Sequence, residues 1–221
     1  MSLSKEAWAE WPTGSVREFR CGEAYKASKE HVQTLSLEEA EYVVVDTETT
    51  DKNRGVARLV EIAGLIVSLP SGTVIDRFQE LIYPAMSIPE EVIAIHGITD
   101  EMVRDAPRVR AVLPRFFAWC GGRQLIAHNA SYDRDILRYE SGRGLVRSPG
   151  LEIFCSLKLA RKLLPKRDGG HSLSALTAWC GVEHRNAHRA MGDCEALAAV
   201  LMRLIAMADK GACAAAAEGI V

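Results

Sequence analysis

Three apolar runs between residues 42 and 82 constrain the fold more than any other part of the chain. The run Tyr42-Val-Val-Val-Asp46 is short, β-branched and apolar at successive positions, which is typical of a central strand covered on both faces. Residues 59–67 and 73–82 form two further strand patterns, and Ser71-Gly72 between them predicts a hairpin turn. The block therefore predicts a sheet with at least one fully buried strand.

Helical spacing dominates the remainder of the chain. Apolar residues recur at helical intervals in several segments, with Pro89 and Thr99 at the starts of the first two. The predicted helices cover residues 89–96, 99–106, 111–119, 131–139, 157–164, 172–180 and 190–207, and a brief strand covers 124–127. Strands followed by helices, a short strand and more helices predict an α/β domain, in which helices flank a β-sheet.

The length and composition are those of one soluble domain with small appendages. The chain has 221 residues, of which 48% are hydrophobic and 25% are charged, and this excludes a disordered chain, a collagen-like fibre and a membrane bundle. We predict an N-terminal helical extension (1–40), a central domain (41–207) and an Ala-rich tail that frays (208–221). Trp8, Trp11 and Phe19 are candidates to dock the extension onto the central domain.

The start of the chain and its cysteines favour a cytoplasmic location. The first residues lack an apolar segment of signal-peptide length, and no run of 18 uncharged apolar residues predicts a membrane span. The six cysteines are scattered without a C-x-x-C pair, which is typical of reduced thiols.

Charge is distributed unevenly along the chain. The formal net charge is −2, but residues 1–100 carry a net −8 and residues 101–170 a net +7. This asymmetry is consistent with an anionic partner for the second segment, and equally with solvated helix faces.

Three short motifs carry carboxylates that could bind a metal. Asp46-Thr47-Glu48 ends the first strand and places two carboxylates on one face, where they could hold a hard cation. His128-Asn129-Ala130-Ser131-Tyr132-Asp133 opens a predicted helix, although capping by Asn129 or Ser131 would also account for part of it. His188 to Asp193 lies before the last long helix, and a loop histidine near metal-bound water is a natural general base.

Together these motifs resemble the DEDD superfamily of 3′→5′ exonucleases, in the DnaQ-like branch that has a histidine in its third motif. The matching strings are Val45-Asp-Thr-Glu-Thr-Thr50, Ala127-His-Asn-Ala-Ser-Tyr-Asp133 and Ala187-His-Arg-Ala-Met-Gly-Asp193. Segments 58–63 and 96–99 also match, and the resemblance covers about residues 41–207. Within the family the chain is most similar to the epsilon proofreading subunit of bacterial DNA polymerase III and its stand-alone relatives.

The resemblance implies a ribonuclease H-like mixed β-sheet flanked by α-helices, and two-metal hydrolysis of phosphodiesters that releases nucleoside 5′-monophosphates. Two divalent cations, Mg²⁺ or Mn²⁺, would be held by the four acids. Asp46 would contact both ions, Glu48 and Asp193 would complete one site, and Asp133 would support the other. His188 would accept the proton of the attacking water.

The family also implies a pocket for the 3′-terminal nucleotide, with Thr49, Thr50, His96 and Asn129 as its candidate lining. The predicted partner is a nucleic-acid 3′ end, with single-stranded or mismatched DNA favoured over RNA, and Arg and Lys of residues 101–170 as phosphate contacts. A DNA polymerase is a further candidate partner, although residues after 207 show no clamp-binding tail. The sequence leaves the oligomeric state open and predicts no membrane partner.

Two alternative functions, in which the protein is not an enzyme, remain open. Cys180, His184, His188 and Cys194 have a spacing that could bind a structural zinc ion, which would make the protein a zinc-stabilised binding module. A catalytically silent nucleic-acid adaptor on the same fold is the second, although all four acids and the histidine are present.

Overall fold

The computed structural model describes residues 18–21, 33–36, 40–164 and 168–218, with side chains for 40–164 and 168–207. Two short strands, β1 (Glu18–Cys21) and β2 (Gln33–Ser36), pair with each other in antiparallel fashion. These two segments are strands, so the prediction of short helices in residues 1–40 is wrong for them. Trp8 and Trp11 lie outside the described residues, and the structure does not describe the side chain of Phe19.

The main sheet has five strands in the order β5-β4-β3-β6-β7. Its strands are β3 (Ala40–Thr49), β4 (Leu59–Leu69), β5 (Thr73–Leu81), β6 (Leu125–Ala127) and β7 (Ile153–Cys155). Neighbours β3, β4 and β5 pair antiparallel, whereas β3 pairs parallel with β6 and β6 with β7. This arrangement confirms the predicted mixed sheet and the hairpin between β4 and β5.

Strand β3 is the centre of the sheet, and it extends beyond the predicted 42–46 at both ends because β4 supports its whole length. Val43 pairs with Ile66 of β4 on one side and with Leu125 of β6 on the other. A register shift after Glu48 ends the regular pairing. The carboxylates of the first motif therefore lie at the end of the central strand, which is paired on both sides.

Seven helices follow or connect the strands, and each overlaps a predicted helix, although α2 covers only four of the residues predicted for it. They are α1 (Glu90–His96), α2 (Asp100–Val103), α3 (Val109–Cys120), α4 (Ser131–Gly144), α5 (Ser156–Leu163), α6 (Leu173–Cys180) and α7 (Ala190–Glu218). Helix α7 continues through the Ala-rich segment to Glu218, in agreement with the high intrinsic helix propensity of alanine, and fraying of this segment stays a prediction. No helix in the described part of the chain is both long and apolar enough to cross a membrane.

The alternation of side chains along β3 builds a separate core on each face of the sheet. Val44 points to one face and joins Leu197 and Leu201 of α7, together with residues of α5 and α6. Val43 points to the other face, where it joins a cluster that contains Phe116 of α3 and Leu137 of α4. Helices therefore cover both faces, which explains the continuous apolar run in the sequence.

Candidate active site

Three carboxylates meet where the end of β3 approaches the start of α7. Asp46 and Glu48 project from the same side of β3, and Asp193 lies in the first turn of α7. One ligand oxygen of each lies within 4.8 Å of the other two, and all three residues are partly exposed. Oxygen ligands at this spacing suit a hard divalent cation, and the structure thereby brings together three of the four predicted acids.

The fourth acid, Asp133, lies beside this cluster but is more deeply buried. It is in the first turn of α4 with 3% of its surface exposed, and Thr47 Oγ1 donates a 2.8 Å hydrogen bond to its Oδ1. Burial raises the pKa of Asp133 to about 7, against the hydrogen bond from Thr47, which lowers it. Asp133 also raises the pKa of Asp46 by repulsion, second only to burial.

Burial and the neighbouring carboxylates favour the protonated forms of Asp46 and Glu48. Burial raises the pKa of Glu48 from 4.5 to about 8, and repulsion from Asp193 adds to the shift. Burial and then the neighbouring acids raise the pKa of Asp46 well above its ordinary value. A divalent cation can replace the protons as the source of neutralising charge, so this donor set fits the metal ions that the sequence implies.

A buried ion pair anchors the start of α7 to the sheet. Glu61 is fully buried on β4, directly opposite Glu48 in the strand register. Its carboxylate accepts hydrogen bonds at 2.7 Å and 3.0 Å from the Arg189 guanidinium and one at 3.0 Å from the Ala190 backbone N–H. These contacts place Asp193, one turn further along α7, at a defined distance from β3.

The loop before α7 brings two histidines close to Asp193, and they contact it differently. His188 has a left-handed backbone with φ of 64°, its side chain is exposed, and its backbone N–H donates a 3.1 Å hydrogen bond to Asp193 Oδ1. The His184 ring is mostly buried, and its Nε2 is 2.6 Å from the same oxygen. Sequence reasoning considered His184 only as a zinc ligand and missed this contact with the acid cluster.

Gly192 allows this loop to pack against α7. A Cβ at this position would lie 2.5 Å from the carbonyl oxygen of Arg185 and closer still to that of Asn186. Because both obstacles are backbone atoms, a larger residue cannot be accommodated by a side-chain rotation. The glycine before Asp193 is therefore required by the path of the loop that carries His184 and His188.

The predicted zinc site does not assemble. The Cys194 thiol is fully buried and donates a 3.6 Å hydrogen bond to the Ala63 carbonyl oxygen, while the His184 ring contacts Asp193. Among the described residues, the candidate metal-binding group of three or more side chains is Asp46, Glu48 and Asp193, which contains no cysteine. The zinc interpretation is wrong because Cys194 faces the core, whereas His184 contacts Asp193 at the acid cluster.

Two of the predicted nucleotide-pocket residues have hydroxyl groups that the protein itself occupies. Thr49 Oγ1 donates a hydrogen bond to the Asp51 carbonyl oxygen at 2.8 Å and lies 2.5 Å from the Tyr132 hydroxyl. Thr50 is fully buried, and its Oγ1 accepts a 3.0 Å hydrogen bond from the Arg58 backbone N–H. These threonines shape the end of β3, and a direct contact with a nucleotide stays a prediction.

The other two predicted pocket residues differ in accessibility. His96 has 3% of its surface exposed and accepts a 2.9 Å hydrogen bond at Nδ1 from the Ile98 N–H, while its buried Nε2 has no partner. Asn129 is exposed and has a left-handed backbone with φ of 64°. It does not cap α4 through its side chain, nor does Ser131, because the N-cap is Ala130 without a side-chain bond. Of His96 and Asn129, Asn129 is the residue that a nucleotide could reach.

His128 of the second motif has a structural environment. Its Nδ1 is 3.0 Å from Ser156 Oγ at the start of α5, and its Nε2 is 2.9 Å from the His171 carbonyl oxygen. Burial lowers the pKa of His128, which favours a neutral ring with one nitrogen donating and the other accepting. The side chain joins the second motif to the segments that precede α5 and α6.

Comparison with known proteins agrees with this geometry. The RNase_T exonuclease family model matches residues 43–201. A Mycobacterium tuberculosis protein named as a bifunctional exonuclease/endonuclease is 37% identical over 179 residues, which cover 77% of this chain and 27% of the relative. The DNA polymerase III PolC-type protein of Bacillus subtilis is 35% identical over 177 residues, which cover 79% of this chain and 12% of the relative. The chain thus spans only a minor part of the length of these relatives.

Solved structures show the same fold. Exonuclease X in complex with 5′-overhanging duplex DNA is 30% identical with a TM-score of 0.60, and the match covers 74% of this chain and 90% of exonuclease X. The nuclease domain of 3′hExo, a DEDDh family member bound to rAMP, has a TM-score of 0.68 at 16% identity, covering 76% of this chain and 92% of that domain, and confirms the ribonuclease H-like fold. The chain therefore belongs to the DnaQ-like DEDD exonucleases, a family that uses divalent metal ions.

Proposed function

We propose that this protein is a metal-dependent 3′→5′ exonuclease that removes nucleoside 5′-monophosphates from the 3′ ends of single-stranded or mismatched DNA. The observation that carries the proposal is the carboxylate cluster, in which oxygens of Asp46, Glu48 and Asp193 lie within 4.8 Å of one another in a chain of the exonuclease family. The raised pKa values of Asp46 and Glu48 support a site built to work with bound cations.

In this proposal the four acids hold two divalent cations, Mg²⁺ or Mn²⁺. Asp46, Glu48 and Asp193 would hold one ion, and Asp133 would support the other from its buried position. Such ions polarise water and neutralise the charge that develops on a scissile phosphate. The protein contributes by keeping the four carboxylates in place, through β3, through the hydrogen bond from Thr47 to Asp133 and through the ion pair between Glu61 and Arg189.

His188 is the proposed general base. Its backbone is attached to Asp193 by a hydrogen bond and is followed directly by Arg189, which is held by Glu61, whereas its ring is exposed. An imidazole on such a backbone can turn toward a water molecule beside the acids and accept its proton. His184 is already in contact with Asp193, which supports a positioning role for it and leaves His188 as the base.

The preference for DNA is supported by two relatives. The PolC-type relatives are DNA polymerases by name, and exonuclease X was solved with duplex DNA that has a 5′ overhang, which leaves a recessed 3′ end. Both are at least 30% identical to this chain over about three quarters of its length. Faster degradation of RNA than of matched DNA would overturn this part of the proposal.

The test is a degradation assay with matched DNA and RNA oligonucleotides, each single-stranded, fully paired or mismatched at the 3′ end. With a 5′ label we expect a ladder that shortens by one nucleotide at a time in Mg²⁺ or Mn²⁺, and no cleavage in EDTA. Asp46→Asn should lose at least about 10³-fold in rate, because it removes a carboxylate from the metal-binding cluster. The matched control Asp105→Asn removes an exposed carboxylate on another surface and should keep wild-type activity.

The His188→Ala variant tests the assignment of the base separately. We expect it to bind metal and DNA like the wild type and to lose about 10²- to 10⁴-fold in kcat. Cleavage at internal bonds, shortening from the 5′ end, or a fully active Asp46→Asn protein would overturn the proposed mechanism. A fully active His188→Ala protein with an inactive His184→Ala protein would reassign the base to His184.

A further inference from the structure

Four arginines surround a cavity of about 270 Å³ at the C-terminal end of α4, away from the acid cluster. They are Arg58, Arg108, Arg110 and Arg143, and the Tyr83 side chain completes one wall. The four come from three parts of the chain: the segment before β4, the start of α3 and the last turn of α4. Packing alone does not require four cations around one cavity.

The positive charge in this pocket is largely uncompensated. Arg58 and Arg143 both contact the buried carboxylate of Glu140, so one negative charge serves two arginines. Arg108 and Arg110 are exposed, and neither forms an ion pair with a described acid. The pocket therefore carries four positive charges against one negative charge.

The start of α3 adds to this positive potential. Arg108 is the N-cap and forms no side-chain capping bond, and the first turn contains no acidic residue. The first amides of a helix have no partner within the helix, and they carry partial positive charge. Cations at this end of a helix are unfavourable, whereas a bound anion would turn the same arrangement into a favourable one.

Arg108 is also held in a defined orientation. Its guanidinium lies over the Tyr83 ring, with the carbon atom 5.4 Å from the ring centroid. A guanidinium stacked in this way keeps its N–H groups available at its edge, and the planar edge matches the oxygens of a phosphate group.

Helix α4 connects the arginine pocket to the acid cluster, because its first turn carries Asp133 and its last turn carries Arg143. Asp133 and Arg143 are ten residues apart on α4, which corresponds to about 15 Å along the helix axis. Directly after β3, the Thr50 backbone N–H donates a hydrogen bond to the Arg58 carbonyl oxygen, and the Arg58 N–H donates one to Thr50 Oγ1, so one loop joins the two places. At about 3.4 Å per nucleotide of a stacked strand, this distance corresponds to roughly four to five nucleotides.

We propose that this arginine pocket binds a backbone phosphate of the substrate strand, about four to five nucleotides before the 3′ end that enters the acid cluster. The inference rests on the proposed function and extends it, because it adds a second contact for the same strand. The ligand is the phosphodiester group, so the pocket does not read the base sequence.

The test replaces the two arginines that have no contact with Glu140. In R108A/R110A we expect the Kd for a fluorescein-labelled twelve-nucleotide DNA, measured by anisotropy in EDTA, to rise roughly tenfold, and the slope of log Kd against log salt to fall by about 0.7. The control R104A/R115A removes the same charge from exposed positions outside the pocket, one of them on α3, and should change Kd less than twofold. An equal loss in both variants would show general electrostatic attraction and overturn the pocket.

A second substrate separates the pocket from the chemistry. The p-nitrophenyl ester of thymidine 5′-monophosphate is too short to reach the pocket, so R108A/R110A should hydrolyse it at the wild-type rate with Mn²⁺. An equal loss on this ester and on the long strand would place the two arginines in the active site and overturn the proposal. If the wild type hydrolyses neither substrate, the nuclease proposal fails, while the anisotropy result still decides whether the pocket binds DNA. Displacement of the labelled DNA by micromolar inorganic phosphate or mononucleotide would instead identify a small-anion site.

Discussion

Replacing Glu48 by Gln should stabilise the metal-free protein while it removes part of the metal site. Burial and neighbouring acids raise the pKa of Glu48 from 4.5 to about 8. At pH 7.5 the unfolded chain therefore releases a proton that the folded protein keeps, and the folded state loses stability as pH rises from 4.5 to 8. At about 1.4 kcal/mol for each pH unit, the loss at pH 7.5 is about 4 kcal/mol, and it falls to about 1.4 kcal/mol at pH 5.5.

A glutamine at position 48 carries no charge at either pH, so it avoids this loss. Allowing for relaxation of the partly exposed cluster, we expect Glu48→Gln to gain about 2 kcal/mol in EDTA at pH 7.5. For a domain of this size that raises Tm by about 4–8 °C. At pH 5.5 the gain should shrink to about a third of this value. Thermal unfolding followed by circular dichroism at the two pH values measures both.

Metal ions should reverse the order of stability. A ligand at a hundred times its Kd stabilises the folded state by about 2.7 kcal/mol, so Mg²⁺ or Mn²⁺ should raise the Tm of the wild type and have little effect on Glu48→Gln. Glu152→Gln, at an exposed position away from the acids, is the matched control and should behave like the wild type. A Glu48→Gln protein that is no more stable than the wild type in EDTA at pH 7.5, or whose gain does not depend on pH, would refute this reasoning.

Three further predictions concern packing around the site. Glu61→Gln weakens the bonds to Arg189 and should lower the free energy of unfolding by about 1–3 kcal/mol and kcat along with it, measured by urea titration and by the degradation assay. Gly64→Ala places a Cβ 2.6 Å from the Trp119 ring, so it should cost about 1–3 kcal/mol in stability with kcat unchanged once folded. Gly192→Ala should lower kcat strongly and Tm only slightly, because its Cβ displaces the loop that carries His188.

The parts of the fold that the sequence predicts are those in which one local pattern decides the outcome. Strand β3 is recognisable because both of its faces are buried, and every apolar position therefore repeats the same signal. Strand β7 has only three residues, Ile153–Cys155, and its pairing with β6 holds it in place. A run this short has no local pattern from which a strand could be predicted. The Ala-rich segment has no amphipathic pattern that would mark a packed helix, so the sequence does not predict that α7 continues to residue 218.

The same distinction applies to the site. The side-chain period of a strand already places Asp46 and Glu48 on one face, whereas the arrival of Asp193 depends on the packing of α7 and follows from the family resemblance. The engagement of the Thr49 hydroxyl and the contact of His184 with Asp193 depend on rotamers and loop paths, which spacing does not encode.

Helix α4 fixes the distance between the acid cluster and the arginine pocket of the proposed enzyme. Its first turn carries Asp133 and its last turn Arg143, so the separation between the acid cluster and the arginine pocket does not change as a strand is shortened. A strand longer than this separation is held at two points, and a shorter one at its 3′ end alone. Degradation should therefore be biphasic, with a fast phase that ends when roughly four to five nucleotides remain. Oligonucleotides of that size would accumulate, and a different enzyme would have to convert them to mononucleotides.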